Sequence, residues 1–545
     1  MNLVGGASRW LVVGMLSTGF AASAWGQGKG VPVEADGYPI CLGSPGHDCG
    51  LHQDSRGTTH PALVEQDGWA NRTSSRTWTI GDLVPQPISG TYTLPVVIFG
   101  YSNVSQPDGV LEHLQTLLGA ESPLNSMRSY YQTMSGGRFD VIPEFFVIPN
   151  LPEEDTFYET TEANPQGEYR LLQHVVAALD HQVDFTRYDN DGPDGIPNSG
   201  DDDGRVDTMI LVFPECANKK EGNIWPHAGH AIWLNEGAGV PTADPSENPN
   251  PDNGGDVVVL GKYTLQTTVN CEGQIVNRLR TFKHELGHCL GIRDLYDTEV
   301  HNDEDDDPWP GLGRYCLMAS GSGHMSAWCK ARLGWVDVIS LTGLNEELVE
   351  FPRSFASETV WKIDINQIGS EYFLIEHRSQ DDTFDNIFGF GLLIYHVDES
   401  RRTNNRPDCS GQDPFNHPKV TLEQADGLCE IENGSAATAH SDFWRSDMAD
   451  RFAADTFPHS LGYSGFNLGI EIREISDPWQ ETMTAVVTAP EPPLLAIPGP
   501  LEIVWLFDLS GSYADDLVHM RAQIPGAIQD SVNFYPVSRD AVARV

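Results

Sequence analysis

The stretch TFKHELGHCLGIRDLYD, residues 281–297, decides the expected fold, because it places two histidines four residues apart and follows them with a glycine and an aspartate. On a helix, residues four apart lie on one face, so His284 and His288 can bind one metal ion through their imidazoles. Gly291 stands where a helix commonly ends in a left-handed turn. The chain can then turn back and bring Asp294 to the same ion.

Three protein ligands leave one position for water, which distinguishes a catalytic zinc site from a structural one. Glu285 lies beside the first histidine, where it can reach a water on the metal without being a ligand. We therefore predict zinc held by His284, His288 and Asp294, with Glu285 as the general base. A bare HExxH motif recurs by chance. The extended spacing HExxHxxGxxD is far more specific and favours a metal site over a polar helix with incidental histidines.

A methionine downstream gives additional support. The segment RYCLMASGSGHMSAWCKARLGWV places Met318 in a turn of small residues, thirty positions after His288. In the metzincin metallopeptidases a methionine turn lies beneath the zinc. A methionine is more often a core residue, so Met318 favours a metzincin only together with the extended motif.

The acidic composition of the chain limits the classes of molecule that it is expected to bind. The chain has 78 Asp and Glu against 33 Lys and Arg, a formal net charge of −45. Such a surface repels nucleic-acid phosphates and anionic lipid, which argues against both as partners. It suits a protein that works in salt or that binds calcium through its carboxylates. The expected partners are protein or peptide substrates, and the oligomeric state is not predictable.

The first 26 residues have the layout of a secretory signal peptide. Arg9 precedes an apolar run from Trp10 to Phe20, and small residues follow up to Ala24. The run is too short for a membrane span, so we expect a secreted protein without membrane insertion. Nine cysteines in an exported chain then predict disulfides with one thiol left over. A cysteine that caps the metal and keeps the enzyme latent is the alternative to a purely structural role.

Composition and periodicity divide the remaining chain. Strand-like runs such as TYTLPVVIF alternate with helical patterns such as VLEHLQTLLG and EYRLLQHVVAALDHQ (168–182) up to about residue 345. Period-two runs such as EYFLIEHR, FGLLIYHVDE and MTAVVTA dominate afterwards and predict strands. We therefore expect an α/β (α+β) metzincin-like catalytic domain, then a β-rich domain and a partial α/β segment. The predicted regions are a pro-segment (27–90), the catalytic domain (91–345), the β-rich domain (346–488), a proline-rich linker (489–500) and the last segment (501–545).

A second set of carboxylates occurs in YDNDGPDGIPNSGDDDGRVD, residues 188–207. Carboxylates separated by glycines supply the hard oxygen ligands that calcium prefers. The candidate calcium ligands are Asp189, Asp191, Asp203 and Asp207, with Asp194 and Asp201 as alternates. The EF-hand template is not met, and a solvated acidic loop stays open as the alternative.

Two further polar stretches are interpreted as structural. The acidic run HNDEDDDPWPG, residues 301–311, is typical of a solvated loop. His227 and His230, in IWPHAGH, lack a convincing third partner for a metal and are predicted to be structural histidines.

The end of the chain resembles the beginning of a von Willebrand factor A domain. There, an apolar strand is followed by a D-x-S-x-S loop at Asp508, Ser510 and Ser512. The other loops of such a metal site are absent before Val545. We therefore expect either a truncated domain or a remnant without a working site.

The motifs together resemble the secreted immune inhibitor A-type metallopeptidases of bacteria. The resemblance is carried by HELGHCLGIRDLYD, LMASGSG, SAWCKARLGWV, SYYQTMSGGRFDV, FTRYDNDG, IWPHAGH, EYFLIEHR, GFGLLIYHVDES and HPKVTLEQADG, and runs with gaps from about residue 91 to 487. It implies a zinc endopeptidase made as a zymogen, with the ligands and base named above. IRD stands where family members often have LPD, which leaves Asp294 in place.

Two classes of function follow from these observations. The first is a secreted zinc endopeptidase that acts on proteins. The second is a non-enzymatic, calcium-dependent adhesion or binding protein on a peptidase scaffold. The intact Glu285 favours the first class, because a binding protein needs no base beside the metal.

Overall fold

The computed structural model describes residues 88–493 except 120–124, 162–163, 193–194, 201, 218–223, 235–238, 251–254, 299–308, 355–356, 368, 381–383, 386, 402, 406–416 and 435–438. The expected signal peptide, residues 27–87 of the pro-segment, residues 494–500 of the linker and the last segment lie outside these residues, as do Asp194, Asp201, Asp508, Ser510 and Ser512. Within the described part, no helix is both long and apolar enough to cross a bilayer.

The first half of the described chain is built on a mixed five-stranded sheet. Its strands, in spatial order, are β2 (Phe139–Val147), β1 (Gly90–Ile98), β4 (Met209–Val212), β8 (Lys262–Gln266) and β5 (His227–His230). The first four run parallel, and β5 runs antiparallel to β8. The predicted strand TYTLPVVIF is continuously apolar at its end because β1 lies inside the sheet and is buried on both faces.

Alternate side chains of β1 point into two different cores, because an extended strand has period two. Val96 and Ile98 pack into the first core with three helices, whereas Val97 packs into the second core with a fourth helix. The longest helices of the first core are α1 (Val110–Gly119), α2 (Met127–Met134) and α6 (Leu279–Cys289), and the longest of the second is α4 (Gly167–Leu179). Three shorter helices are α3 (Asp155–Tyr158), α5 (Ala231–Leu234) and α7 (Ala327–Arg332).

The helix α6 carries the histidine motif and is amphipathic. Its apolar residues Leu279, Phe282, Leu286 and Cys289 recur at spacings of three and four and join the first core. At its beginning the backbone N–H of Leu279 donates to the side chain of Asn277 at 3.0 Å. The predicted helices at 110–119 and 168–182 are also confirmed, as α1 and α4.

A small three-stranded sheet stands beside the acidic loop. It consists of β3 (Arg205–Val206), β7 (Gly255–Leu260) and β6 (Val240–Asn250), with β7 in the middle. β3 begins directly after the aspartate run and pairs in parallel with β7. The sheet therefore fixes the end of the loop that carries the carboxylates.

The second half consists of two further sheets. One has the order β14 (Val420–Leu422), β13 (Phe390–Asp398), β12 (Glu371–Ser379), β11 (Thr359–Asp364) and β9 (Asp337–Ser340). The other has the order β10 (Glu347–Pro352), β17 (Thr482–Thr488), β16 (Glu471–Arg473) and β15 (Phe452–Ala453). The strands predicted from EYFLIEHR, FGLLIYHVDE and MTAVVTA are confirmed as β12, β13 and β17. β9 precedes residue 346 but pairs in parallel with β11.

The central strands of the five-stranded C-terminal sheet are buried on both faces. Phe373 and Ile375 of β12 pack into a third core shared with the four-stranded sheet. Leu374 and, on β13, Leu393 point the other way and join the first core, which contains α6. The histidine helix and the C-terminal sheet therefore share one continuous core.

A buried ion pair crosses this shared core. Lys330 of α7 donates through Nζ to Glu376 Oε2 of β12 at 2.8 Å, and Tyr395 donates to the other carboxylate oxygen at 2.7 Å. Burial raises the pKa of Glu376, but Lys330 and Arg378 outweigh burial and hold this pKa at about 2. A buried pair of this kind contributes register and orientation more than net stability.

The cysteines are partly paired. Cys216 and Cys271 form a disulfide, and Cys429 also takes part in one. Among the described residues Cys289, Cys316 and Cys329 are free and buried, with 3.6 Å between the sulfur atoms of the last two. The expectation of a single leftover thiol therefore differs from the structure, which has three. Cys41, Cys49 and Cys409 lie outside the described residues.

Candidate metal centre

The end of α6 and the turn that follows it bring the motif residues together. His284 and His288 lie one helical turn apart on one face, and both are buried. The helix ends at Cys289, and Gly291 follows with a φ of +92°, which confirms the predicted left-handed turn. The Ile292 N–H then donates to the Gly287 carbonyl at 3.1 Å, and the chain turns back towards the helix. Asp294 reaches the two histidines as a result.

Three potential ligand atoms converge at this point. The Nε2 atoms of His284 and His288 lie 3.2 and 3.4 Å from Asp294 Oδ1. All three residues are buried, and their facing atoms make no well-aligned hydrogen bond with any described residue. The three side chains form one of the groups in which ligand atoms lie within 4.8 Å of one another.

The other ring nitrogens fix the orientation of both imidazoles. His284 Nδ1 lies 2.9 Å from the Leu317 carbonyl, and His288 Nδ1 lies 2.8 Å from the Ile292 carbonyl. Because a carbonyl can only accept, each Nδ1 carries a proton, so each Nε2 is the nitrogen that can offer a lone pair to a bound cation. Metal-binding histidines are held in this way by outer hydrogen bonds.

The donor set fits zinc. Two neutral imidazole nitrogens and one carboxylate are a combination that catalytic zinc sites use. Burial lowers the pKa of His288, but the Asp294 carboxylate outweighs burial and raises this pKa to about 9. The pKa of Asp294 is correspondingly held below its usual range, because His288 and His284 outweigh its burial. Positive charge is therefore strongly favoured where the three side chains meet.

Glu285 is the remaining polar group of the motif. It is 2% exposed, and its Oε2 atom is buried without a hydrogen-bond partner in the described part of the chain. A buried carboxylate oxygen without a partner is costly, and such groups occur where a ligand or substrate supplies the missing contact. Glu285 is therefore a candidate for proton transfer at this site.

Met318 lies directly beneath α6. A Cβ placed on Gly287, which lies between the two histidines, would be 2.6 Å from Met318 Sδ. The Met318 carbonyl also accepts the Leu295 N–H at 2.7 Å, next to Asp294. The methionine thus supports both the helix and the segment that delivers the third side chain.

Side chains of α6 and α2 tie the motif helix to its surroundings. Arg280 donates to the carbonyls of Ala319 and Gly321, at 2.7 and 2.9 Å. Lys283 donates to the Ser322 carbonyl at 2.7 Å, and Tyr131 of α2 donates to the Lys283 carbonyl at 2.6 Å. The loop that contains Met318 and Leu317 is therefore held against the helix at several points.

The close contact at Gly287 gives a testable prediction. Gly287→Ala should destabilise the protein by about 1–3 kcal/mol, since the added methyl group overlaps buried Met318. Thermal and denaturant unfolding of the zinc-loaded protein measure this cost. In a Met318→Ala background the cost of Gly287→Ala should fall by more than half. An equal cost in both backgrounds would show that Met318 is not the obstacle.

His227 and His230 lie elsewhere on the sheet. His227 Nε2 lies 2.7 Å from Glu168 Oε1, and its Nδ1 lies 2.9 Å from the Trp225 carbonyl. Burial lowers the pKa of His227, but Glu168 outweighs burial and raises it to about 9. Tyr263 also donates to Glu168. Among the described residues neither histidine belongs to a group of three potential metal ligands.

The acidic loop forms a second candidate cation site, with a membership that differs from the predicted one. Asp189, Asp191 and Asp202 offer ligand oxygens within 4.8 Å of one another. Asp203 instead pairs with Arg205 at 3.1 Å, and Asp207 accepts the backbone N–H of Asn190 at 3.0 Å. Asp202 was not among the predicted ligands, because the run DDDG gives no local signal for which carboxylate points inward.

Asp189 is the most deeply buried member of this group. It is fully buried, and both of its carboxylate oxygens lack a hydrogen-bond partner within the described ranges. Burial and the neighbouring carboxylates of Asp203, Asp202 and Asp191 together raise its pKa to about 8. Asp191 behaves likewise, with a pKa raised to about 6 by burial and Asp203. The group therefore has an excess of negative charge that a cation would relieve.

Sequence reasoning missed the groups that orient the histidines. The carbonyls of Leu317 and Ile292 belong to the backbone, so no residue type marks them. Their positions depend on the tertiary packing of the loop that carries Met318. The turn at Gly291 was predictable, whereas the two acceptors required the folded chain.

The comparisons with known proteins concern this same region. Residues 118–331 match the family described as "Immune inhibitor A peptidase M6, catalytic domain". The matched range contains both histidines, Glu285, Asp294 and Met318. The resemblance seen in the motifs is therefore confirmed for this part of the chain.

A curated relative is similar over a comparable length. "Immune inhibitor A" of Bacillus thuringiensis subsp. alesti is 23% identical over 229 residues, which are 37% of this chain and 32% of the relative. The chain thus spans about a third of the length of the curated relative that it matches.

Proposed function

We propose that this chain, which carries an immune inhibitor A-type (M6) peptidase catalytic domain in residues 118–331, is a secreted zinc-dependent endopeptidase that hydrolyses peptide bonds of proteins. The observation that carries the proposal is the convergence of two oriented imidazoles and Asp294 beside Glu285, whose Oε2 atom has no hydrogen-bond partner among the described residues. His284, His288 and Asp294 would hold the zinc, and Met318 would form a metzincin-type methionine turn beneath them.

Glu285 performs the proton transfers in the proposed mechanism. Bound zinc supplies a Lewis acid that polarises the scissile carbonyl and acidifies a water molecule. Glu285 accepts the proton of the attacking water and then delivers it to the leaving amine. The carbonyls of Leu317 and Ile292 keep both imidazoles in the tautomer that binds metal. No covalent intermediate with the protein is required.

Two conditions of the proposal concern the first 90 residues. Residues 1–26 would direct secretion, and residues 27–90 would keep the enzyme latent as a pro-segment. We therefore expect the active secreted species to begin near residue 90. Full activity of a chain that begins near residue 27 would argue against latency.

Hydrolysis of casein by the purified secreted protein tests the proposal. We expect a zinc chelator to abolish cleavage and added zinc to restore it, with about one zinc per chain when active. Cleavage that survives complete removal of the metal would contradict a zinc mechanism. Zinc bound without cleavage, even after limited proteolysis of the leader, would favour the binding-protein alternative.

We further propose that Asp189, Asp191 and Asp202 bind a calcium ion that stabilises the catalytic region. The fully buried carboxylate of Asp189 supports this proposal, because its ionised form has no partner in the described part of the chain. Three aspartates supply only oxygen ligands, which favour calcium over zinc.

Calcium should raise the melting temperature of the protein, and Asp189→Asn should remove part of that increase. The physical reason is that calcium binds only the folded arrangement of the three carboxylates. Differential scanning calorimetry with and without calcium measures the increase. Asp256→Asn, which changes an exposed aspartate on β7, is the matched control and should leave it unchanged. An equal response of both variants would contradict the site.

A further inference from the structure

Three carboxylates converge in the C-terminal half, far from the motif in sequence. Asp426 and Glu430 lie in the loop after β14, and Asp442 ends a 3-10 turn at residues 440–442. Each offers an oxygen within 4.8 Å of the other two. Their sequence spacing matches no familiar metal motif, and sequence analysis did not single them out.

The oxygens that face one another lack partners. Asp442 is only 2% exposed, and its Oδ1 atom is buried without a hydrogen bond to any described residue. The same holds for Asp426 Oδ2 and Glu430 Oε2. In the described chain none of the three carboxylates forms an ion pair with a lysine or arginine. An uncompensated cluster of this kind is costly unless a cation or protons neutralise it.

The other oxygen of Asp442 is fully engaged, which fixes the direction of Oδ1. Asp442 Oδ2 accepts the Ala439 N–H at 2.9 Å and the hydroxyl of Tyr315. The pKa of Asp442 is raised to about 6, because burial, Asp426 and Glu430 outweigh the two hydrogen bonds, which lower it. The carboxylate is therefore held in place with its free oxygen directed at two other negative groups.

We propose that Asp426, Glu430 and Asp442 form a further calcium site, separate from the acidic loop at residues 188–207. The donors are all carboxylate oxygens, without the nitrogen or sulfur ligands that zinc and copper favour. Calcium accepts irregular arrangements of six to eight oxygens, whereas magnesium demands a near-ideal octahedron and retains its waters. Three carboxylates on a loop and a turn suit the larger ion.

The site is connected to the motif helix through Tyr315. The carbonyl of Tyr315 accepts a hydrogen bond from Arg378 at 2.6 Å, so both ends of this residue are anchored in the C-terminal half. Two positions further on, the carbonyl of Leu317 accepts from His284 Nδ1 at 2.9 Å. Calcium would therefore stabilise the loop that orients one histidine, a role that rests on the proposed peptidase function.

The test uses calcium binding in a background without self-digestion. The full-length, zinc-loaded protein carries Glu285→Gln, which removes the proposed base, and Asp189→Asn, which removes the other proposed calcium site. Isothermal titration with calcium should then show about one site per chain. Because no cleavage is measured, the result is independent of the proposed function.

Glu430→Gln and Asp426→Asn, added one at a time, should each weaken calcium binding by at least roughly tenfold and abolish the calcium-dependent rise in melting temperature. Glu350→Gln, on the exposed side of β10, is the matched control and should retain both. Unchanged binding in both cluster variants overturns the proposal. An absence of calcium binding in the parent also overturns it, because protons alone would then neutralise the cluster. A larger rise in melting temperature with magnesium than with calcium overturns it as well.

A second measurement keeps the proposal testable if a cluster variant fails to fold. Terbium replaces calcium and luminesces when a nearby tyrosine transfers excitation energy to it, and Tyr315 contacts Asp442 directly. Calcium should quench terbium luminescence in the otherwise unaltered parent, and Tyr315→Phe should reduce the initial signal. An undiminished signal in Tyr315→Phe overturns the assignment of the bound ion to this cluster.

Discussion

Glu285→Gln should lower the rate of casein hydrolysis by at least about 10²–10⁴-fold while leaving the zinc content unchanged. Glutamine keeps the size of the side chain but cannot take up a proton, and a positioned base contributes rate factors of this order. Glu285 is not one of the three side chains whose ligand atoms converge, so metal binding should survive. Initial rates of casein hydrolysis test the loss of activity, and the zinc content of the same preparations tests whether metal binding is retained.

Glu112→Gln is the matched control for this variant. It makes the same chemical change at an exposed position of α1 and should cleave casein at the parental rate. If Glu285→Gln retained most of its activity at full zinc occupancy, Glu285 would not be the base. If it lost zinc and activity together, its role would be structural rather than in proton transfer.

Asp294→Ala should raise the dissociation constant for zinc by more than about 100-fold. Loss of an outer-shell partner of a zinc ligand alone costs about 10–100-fold, and Asp294 is proposed as a direct ligand with its oxygen facing both imidazoles. Asp294→Asn keeps an oxygen but removes the charge, so its loss of affinity should be intermediate. Competition with a chromogenic chelator measures the series.

The control for the ligand series is Asp108→Ala, a change at an exposed position outside both carboxylate clusters. It should bind zinc as the parent does. Near-parental zinc affinity in Asp294→Ala would mean that another side chain completes the site, and the proposed ligand set would have to change. Circular dichroism of each variant separates such an outcome from unfolding.

The part of the site that the sequence predicted is local. His284, His288 and Gly291 belong to one helix and its terminal turn, so their arrangement follows from helical spacing and from the conformational freedom of glycine. The strands β1, β12, β13 and β17 could also be predicted, because the pattern of apolar residues within each strand reflects which of its faces are buried.

The parts that escaped prediction depend on contacts between distant segments. The orientation of His284 depends on the carbonyl of Leu317, and the second carboxylate cluster brings Asp426 and Glu430 together with Asp442. Within the aspartate run, a shift of a single residue decides whether Asp202 or Asp203 faces the other two carboxylates. Asp203 instead forms an ion pair with Arg205. Local spacing carries no information about such partners.

The core shared by α6, β12 and β13 determines how this protein can be divided by recombination. A fragment that ended near residue 331, where the family match ends, would leave the apolar side chains around α7 uncovered, and the complementary fragment would expose Leu374 and Leu393. Uncovered patches of this kind promote aggregation. A fragment that folds should therefore contain both the catalytic region and the sheets that follow it. The same requirement holds when the fragment is fused to another exported protein.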